Sequence, residues 1–185
     1  MNHRRLVQMT ANKVPATRID YPKHWFVLGT IVWGVGTTIL IYLAWSSIED
    51  SVRLFWTILT VFEGVLLAYL FVFPLFTHHM MGTKSLKLKM GLLISETIPY
   101  DWIREVRETS VRLGGVRVGV GVRYAPIMKV MFVTSSFQSL VALRLDREHR
   151  IGSLVKRPVE EIVLSVHSAS AFMDKLQKIV DAQRV

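Results

Sequence analysis

The chain has no cysteine among its 185 residues. That excludes disulfides, thiolate metal sites and cysteine nucleophiles, and leaves the redox compartment open. Proline is scarce, and two of the 6, Pro15 and Pro22, fall near the start, where they discourage a continuous helix. Acidic residues are outnumbered, 14 against 23 Lys and Arg, for a formal net charge of +9. Such an excess suggests an anionic partner, and in a membrane protein it also reflects retention of Lys and Arg on the cytoplasmic side. Charge is missing from two long runs: Phe26–Ala44 holds none and Leu54–Phe76 holds only Glu63. Nucleophile–base pairs, paired carboxylates and zinc-like spacings are also missing, so binding rather than catalysis is expected, with no cofactor or metal. No nucleic-acid recognition motif is present.

What is there is segregated along the chain. Hydrophobic residues make up 51%, charged residues 20%, and the mean hydropathy is +0.35. The first apolar run covers ~28 Å as a helix, enough to cross a hydrocarbon core of about 30 Å. Tyr21 and Trp25 flank its start, Tyr42 and Trp45 its end, where aromatic rings settle at a membrane interface. The motif AWSS mimics a signal-peptide cleavage site, but a second span follows at once, which favours an anchor. The spans are expected at about 26–45 and 54–76, joined by the polar turn Ser46–Arg53, with Pro74 in the last turn of the second. Before them lies a basic, mostly irregular arm, residues 1–23; after them comes a short linker, residues 77–83. Arg4 and Arg5 in the arm and Lys84, Lys87 and Lys89 beyond the hairpin place both termini on the cytoplasmic side of the cell membrane. The same residues are candidates for anionic headgroup contact.

Small residues recur every fourth position: Thr30, Gly34 and Thr38 in the first span, Thr60, Gly64 and Ala68 in the second. Such stripes let helices approach closely, within the hairpin or between protomers. Glu63 stands beside the second stripe. A carboxylate at that depth is costly and is a functional candidate by default; Thr37 and Thr38 offer hydroxyls at a similar depth. The expected role is a hydrogen-bonded contact across a helix interface. The adjacent His78 and His79 are expected to be structural or interfacial.

From Lys84 the pattern alternates. Leu86, Leu88 and Met90 share one face, Lys87 and Lys89 the other, as in a half-buried strand. Further strands are expected from Leu92 to Ser95, Ile103 to Val111, Val116 to Tyr124, Ile127 to Val133, Leu140 to Leu145 and Glu161 to Val166, with Arg150 to Val155 ambiguous. Ser168 or Ser170 caps a final helix, about 169–183, with Phe172, Leu176, Ile179 and Val180 in one apolar stripe. The fold class is α+β: a membrane hairpin, then about seven short antiparallel strands closed by one helix. The stretch GGVRVGVGVR lacks the Gly-Lys-Ser/Thr of a phosphate loop. Its bare Gly119 and Gly121 face permits close approach of a backbone or side chain, under the final helix or from a partner docking between Arg117 and Arg123.

This order resembles the bacterial and archaeal pleckstrin-homology-like domains that follow a two-helix membrane hairpin. The matching features span roughly residues 24–183: the hairpin, the Lys-rich first strand with Gly91, Ile98-Pro99 with Ile103 and Val106, and Ile162–Val166 followed by Ala171, Phe172 and Leu176. The resemblance implies a sandwich or barrel of about seven antiparallel strands and a scaffold or accessory role without catalysis. The expected function is therefore an accessory subunit of a larger membrane assembly, with a membrane-protein partner or a homo-oligomer. The alternatives are an anionic-lipid sensor and a subunit of an ion- or proton-translocating complex using Glu63.

Overall fold

The computed structural model describes residues 17–110, 112–113, 116–117, 119–153 and 155–184. Arg4 and Arg5 lie outside the described residues. Helix α1 spans His24–Ser46; helix α2 spans Asp50–Leu67 and continues through a π-helical turn, Ala68–Val72, and a last α-helical turn, Phe73–Leu75. Both are long and apolar enough to cross a membrane. They pack against each other and leave Val32, Val35, Ile58 and Val65 more than half exposed, an outer surface suited to hydrocarbon.

The connecting turn is tighter than expected. The Arg53 amide donates to the Glu49 carbonyl at 2.9 Å, so Asp50–Arg53 already forms the first turn of α2, and the Arg53 guanidinium donates to the Ser47 carbonyl. Asp50 in that first turn complements the helix dipole. Pro74 cannot donate an amide hydrogen and its ring crowds the preceding turn; the wider π turn stands immediately before it.

The β region is built on two sheets packed face to face. The first has the order β1-β2-β3-β4, with β1 Thr17–Ile19, β2 His79–Met81, β3 Ser85–Met90 and β4 Ile94–Pro99. A 3-10 turn, Tyr100–Trp102, leads to β5 Ile103–Thr109. A small hairpin, β6 Arg112–Leu113 and β7 Val116–Arg117, precedes β8 Gly121–Ala125, β9 Val130–Thr134, β10 Leu140–Ile151 and β11 Arg157–Ser165. The second sheet runs β5-β10-β11-β9-β8. Helix α3, Ala169–Arg184, closes the chain and packs on β5, β10 and the 3-10 turn. Ser168 caps it, accepting from the Ala171 amide at 3.5 Å, and Phe172, Leu176 and Val180 are buried while Ile179 packs at the margin. The alternation of β3 is realised: Leu86, Leu88 and Met90 are buried, Lys87 and Lys89 exposed. They meet Met131, Val133, Val141, Leu143, Ile162 and Leu164 of the second sheet in one core.

Several expectations are corrected. Residues 77–83 are not only a linker and 17–19 are not irregular: β1 pairs antiparallel with β2, Thr17 opposite Met81 and Ile19 opposite His79. The continuous strand from Val116 to Tyr124 is interrupted, with Gly121 at φ +104° opening the described strand β8. The ambiguous stretch after Arg150 begins inside β10, which bulges between Arg144 and His149. The sheets are not wholly antiparallel, because β9 runs parallel to β11. β11 inserts between β9 and β10, so the chain crosses the end of β11 in the short turn Ser135–Ser139. Small hydroxylated residues fit that crossing: the Ser135 amide donates to Ser165 Oγ at 2.6 Å, and the Val166 amide to the Ser139 carbonyl at 3.1 Å. Among the described residues no closed barrel forms; the two sheets end on β1, β4, β5 and β8.

Candidate functional site

The apolar part of the hairpin contains one carboxylate, and the two helices leave a recess around it. Glu63 lies on α2 with Leu59, Phe62 and Leu66; Trp33, Gly36 and Leu40 face it from α1, around a cavity of about 510 Å³. Glycine provides the space. Glu63 Oε1 sits 3.2 Å from where a Cβ on Gly36 would lie. About two turns away, the Phe71 ring fills the place a side chain on Gly29 would occupy, only 2.1 Å from that Cβ position, and stacks at a tilt on Trp33, with centroids 5.4 Å apart. These two glycines, not the predicted stripe, mark the close approach within the hairpin. A Cβ on Gly34 or Gly64 would meet nothing within 4 Å. Periodicity found small residues but could not say which face meets the neighbour; the aromatic and acidic partners Phe71 and Glu63 were the usable signal.

The recess is polar at two atoms and lacks partners for both. Trp33 Nε1 and Glu63 Oε2 are buried, and neither makes a hydrogen bond among the described residues. The threonines do not supply one. Thr30, Thr37, Thr38 and Thr60 each return their hydroxyl to the carbonyl four residues earlier, at 2.8, 3.1, 2.9 and 2.8 Å. Thr37 and Thr38, whose hydroxyls lie at a similar depth, donate them along their own helix and not to Glu63. In a bilayer, hydrocarbon would offer no replacement, and an unsatisfied polar group there costs several kcal/mol. Chemically the recess holds one indole donor and one carboxyl group.

A second cluster fastens the hairpin to the β region. Tyr21 Oη donates to the Pro74 carbonyl at 2.7 Å and lies 2.9 Å from Thr77 Oγ1. Thr77 Oγ1 accepts from the Gly91 amide at 2.7 Å, and Gly91, at φ +55°, lets the β3–β4 turn close on the Pro74 ring. The Lys23 ammonium donates to the Leu75 carbonyl at 2.5 Å. His79 is fully buried beside the Tyr21 ring, its Nδ1 accepting from the Lys89 amide at 3.1 Å. Nδ1 as acceptor puts the proton of the neutral ring on Nε2, which has no partner among the described residues. Burial lowers the His79 pKa to about 4 and raises that of the Tyr21 hydroxyl. This junction, with Tyr21 and Thr77 as its hinge points, was not singled out by sequence reasoning. Tyr21 and Trp25 at the start of the span read as interface anchors, yet Tyr21 is a core residue while Trp25 stays exposed.

The remaining predicted residues do not join either cluster. Lys84, Lys87 and Lys89 are exposed, the last two on the outer face of β3. Gly119 does allow a close approach, and the group that takes it is the Arg123 guanidinium, whose Nη1 lies 2.5 Å from the glycine's Cβ position. A Cβ on Gly121 would meet nothing within 4 Å, and α3 packs on β5, β10 and the 3-10 turn, so the glycine face is not the main seat of the final helix. Arg117 is placed on β7 by its backbone. Comparison with protein-family models, curated proteins and solved structures returned no match.

Proposed function

We propose that this chain is a membrane-anchored binding module: an accessory or scaffold subunit whose hairpin receives a partner helix in the bilayer and whose β region works at the cytoplasmic face. The observation that carries this reading is the recess of Trp33 and Glu63. Two buried polar atoms without partners, in a hairpin surrounded by hydrocarbon, favour a partner that supplies hydrogen bonds or charge. The junction adds a reason for scaffolding. Tyr21, Thr77 and the β1–β2 pair tie both helix ends to the sheet, so a helix docked on the hairpin is held in a defined place relative to the β region. The β region is read as a divergent pleckstrin-homology-like domain, supported by two sheets face to face and a closing helix; its parallel β9–β11 pair departs from that pattern.

The test is site-specific photocross-linking in native membranes. A photoreactive phenylalanine replaces Phe62 at the recess, and in a control replaces Val32, which does not line it. A discrete protein adduct from position 62, absent from position 32, kept by Glu63→Gln and lost with Glu63→Leu, is the expected result. An identical adduct pattern in Glu63→Leu overturns the reading. An adduct of two copies of this chain assigns the recess to self-association. Anionic-lipid sensing is the second reading, favoured by the exposed Lys84, Lys87 and Lys89 next to the junction.

A further inference from the structure

One edge of the second sheet, β8, carries an inference of its own. β8 pairs with β9 through Arg123 opposite Phe132 and Tyr124 opposite Met131, and no strand among the described residues pairs with its other edge. That edge lies between two depressions. On the core side, a cleft of about 420 Å³ is floored by Leu93, Ile94, Val122 and Met131 and rimmed by Ser153 and Arg157. On the outer side, a recess of about 310 Å³ lies among Ala125, Ile127, Met128 and Phe132, with Ile127 98% exposed. Arg123, Tyr124 and Pro126 line both. Side chains of an extended segment alternate between the two faces of a sheet, so a strand added beside β8 would direct successive residues into one depression and then the other.

The charge of the edge selects the occupant. Arg123 and Arg157 are exposed, and neither forms an ion pair among the described residues. Glu96 on β4 is engaged with Lys156 at 2.5 Å and with the Gly152 amide. Among the described residues no Asp or Glu lines either depression. The Arg157 guanidinium lies 5.3 Å over the Tyr124 ring, and Arg123 rests on Gly119, so both are held near the strand. A second copy adding its own β8 would set arginine against arginine, which is unfavourable across a strand pair. We propose that β8 is a docking edge for an extended segment of a partner protein in which acidic and apolar residues alternate.

The experiment uses the full chain in lipid nanodiscs and a fluorescein-labelled octapeptide of alternating glutamate and valine, followed by fluorescence anisotropy and amide hydrogen exchange. Saturable binding with slowed exchange at residues 121–125 is expected. Reversing both charges, Arg123→Glu with Arg157→Glu, should weaken binding about tenfold, the scale of two exposed ion pairs. The same variant should bind the lysine-for-glutamate peptide, a gain that a misfolded variant could not show. Backbone N-methylation on the pairing side of the peptide should abolish binding. Equal binding of the methylated peptide overturns the proposal, since charge without strand pairing would then suffice. So does absence of saturable binding up to millimolar peptide. Displacement of the peptide by phosphatidylglycerol vesicles also overturns it, in favour of a headgroup site.

Discussion

At the scale of single residues, glycine decides how the hairpin packs. Gly29 and Gly36 each vacate space that a named side chain of α2 uses, Phe71 and Glu63 respectively. Gly29→Val should therefore destabilise the hairpin by about 1–3 kcal/mol through overpacking, and Phe71→Ala should restore part of that loss. Gly34→Ala should be neutral within the chain. Thermal unfolding of Gly29→Val, of Gly29→Val with Phe71→Ala, and of Gly34→Ala in one detergent checks all three statements; a Gly34→Ala effect as large as that of Gly29→Val would contradict the assignment. Glu63 should behave differently from a packing residue. Glu63→Gln keeps hydrogen-bonding capacity and should keep partner association, whereas Glu63→Leu should weaken it by about 1–2 kcal/mol, measured by co-purification across a detergent series.

His79 makes a pH prediction of known sign. The unfolded chain takes up a proton near 6.5 and the folded ring only near 4, so the unfolded state binds more protons between those values. Stability should then fall as the pH drops through 6.5 and level off below about 4. The full effect is on the order of 3 kcal/mol. In His79→Gln, whose amide oxygen can still accept from the Lys89 amide, the melting temperature should decline less over the same range. Parallel slopes in wild type and variant would refute the assignment.

At the scale of elements, the unexpected partnership is β1 with β2. Each is three residues long, too short for hydrophobic periodicity to announce, and each lies in a stretch rich in polar or flexible-looking residues. Their pairing arises because α1 and α2 bring the segment before the hairpin beside the segment after it, a long-range effect. The register makes it testable. Arg18 stands opposite Met80, and opposed residues of an antiparallel pair lie within disulfide reach. Since the chain has no cysteine, Arg18→Cys with Met80→Cys should form a single intramolecular disulfide on oxidation and raise stability by about 2–4 kcal/mol. A mass shift and a higher melting temperature confirm it; failure to oxidise, with Thr17→Cys and Met81→Cys also unreactive, would dissolve the pair. The final helix was legible for the opposite reason. Its stripe of Phe172, Leu176 and Val180 is a local pattern that needs only one face to be covered.

At the scale of the whole molecule, the membrane reading rests on two helices and a turn, and it predicts a side. Ile48, at the tip of the hairpin, is 96% exposed, whereas Lys87 lies on the β region. In intact cells an impermeant maleimide should label Ile48→Cys and spare Lys87→Cys until the membrane is opened. The reverse pattern would invert the orientation and move the β region outside.

The amino-acid sequence by itself determined the two apolar helices, the alternating strand Ser85–Met90, the closing helix and the mixed α+β class. Each follows from a pattern repeated over neighbouring residues, so local chemistry suffices. Only the tertiary structure decided that β11 slips between β9 and β10, that Tyr21 and Phe26 belong to the core, that Gly29 and Gly36 form the hairpin contact, and that Trp33 joins Glu63 in one recess. Those outcomes depend on which surfaces meet across long stretches of chain. Periodicity can name a face that must be covered, but the shape and polarity of the group that covers it come from a distant part of the chain.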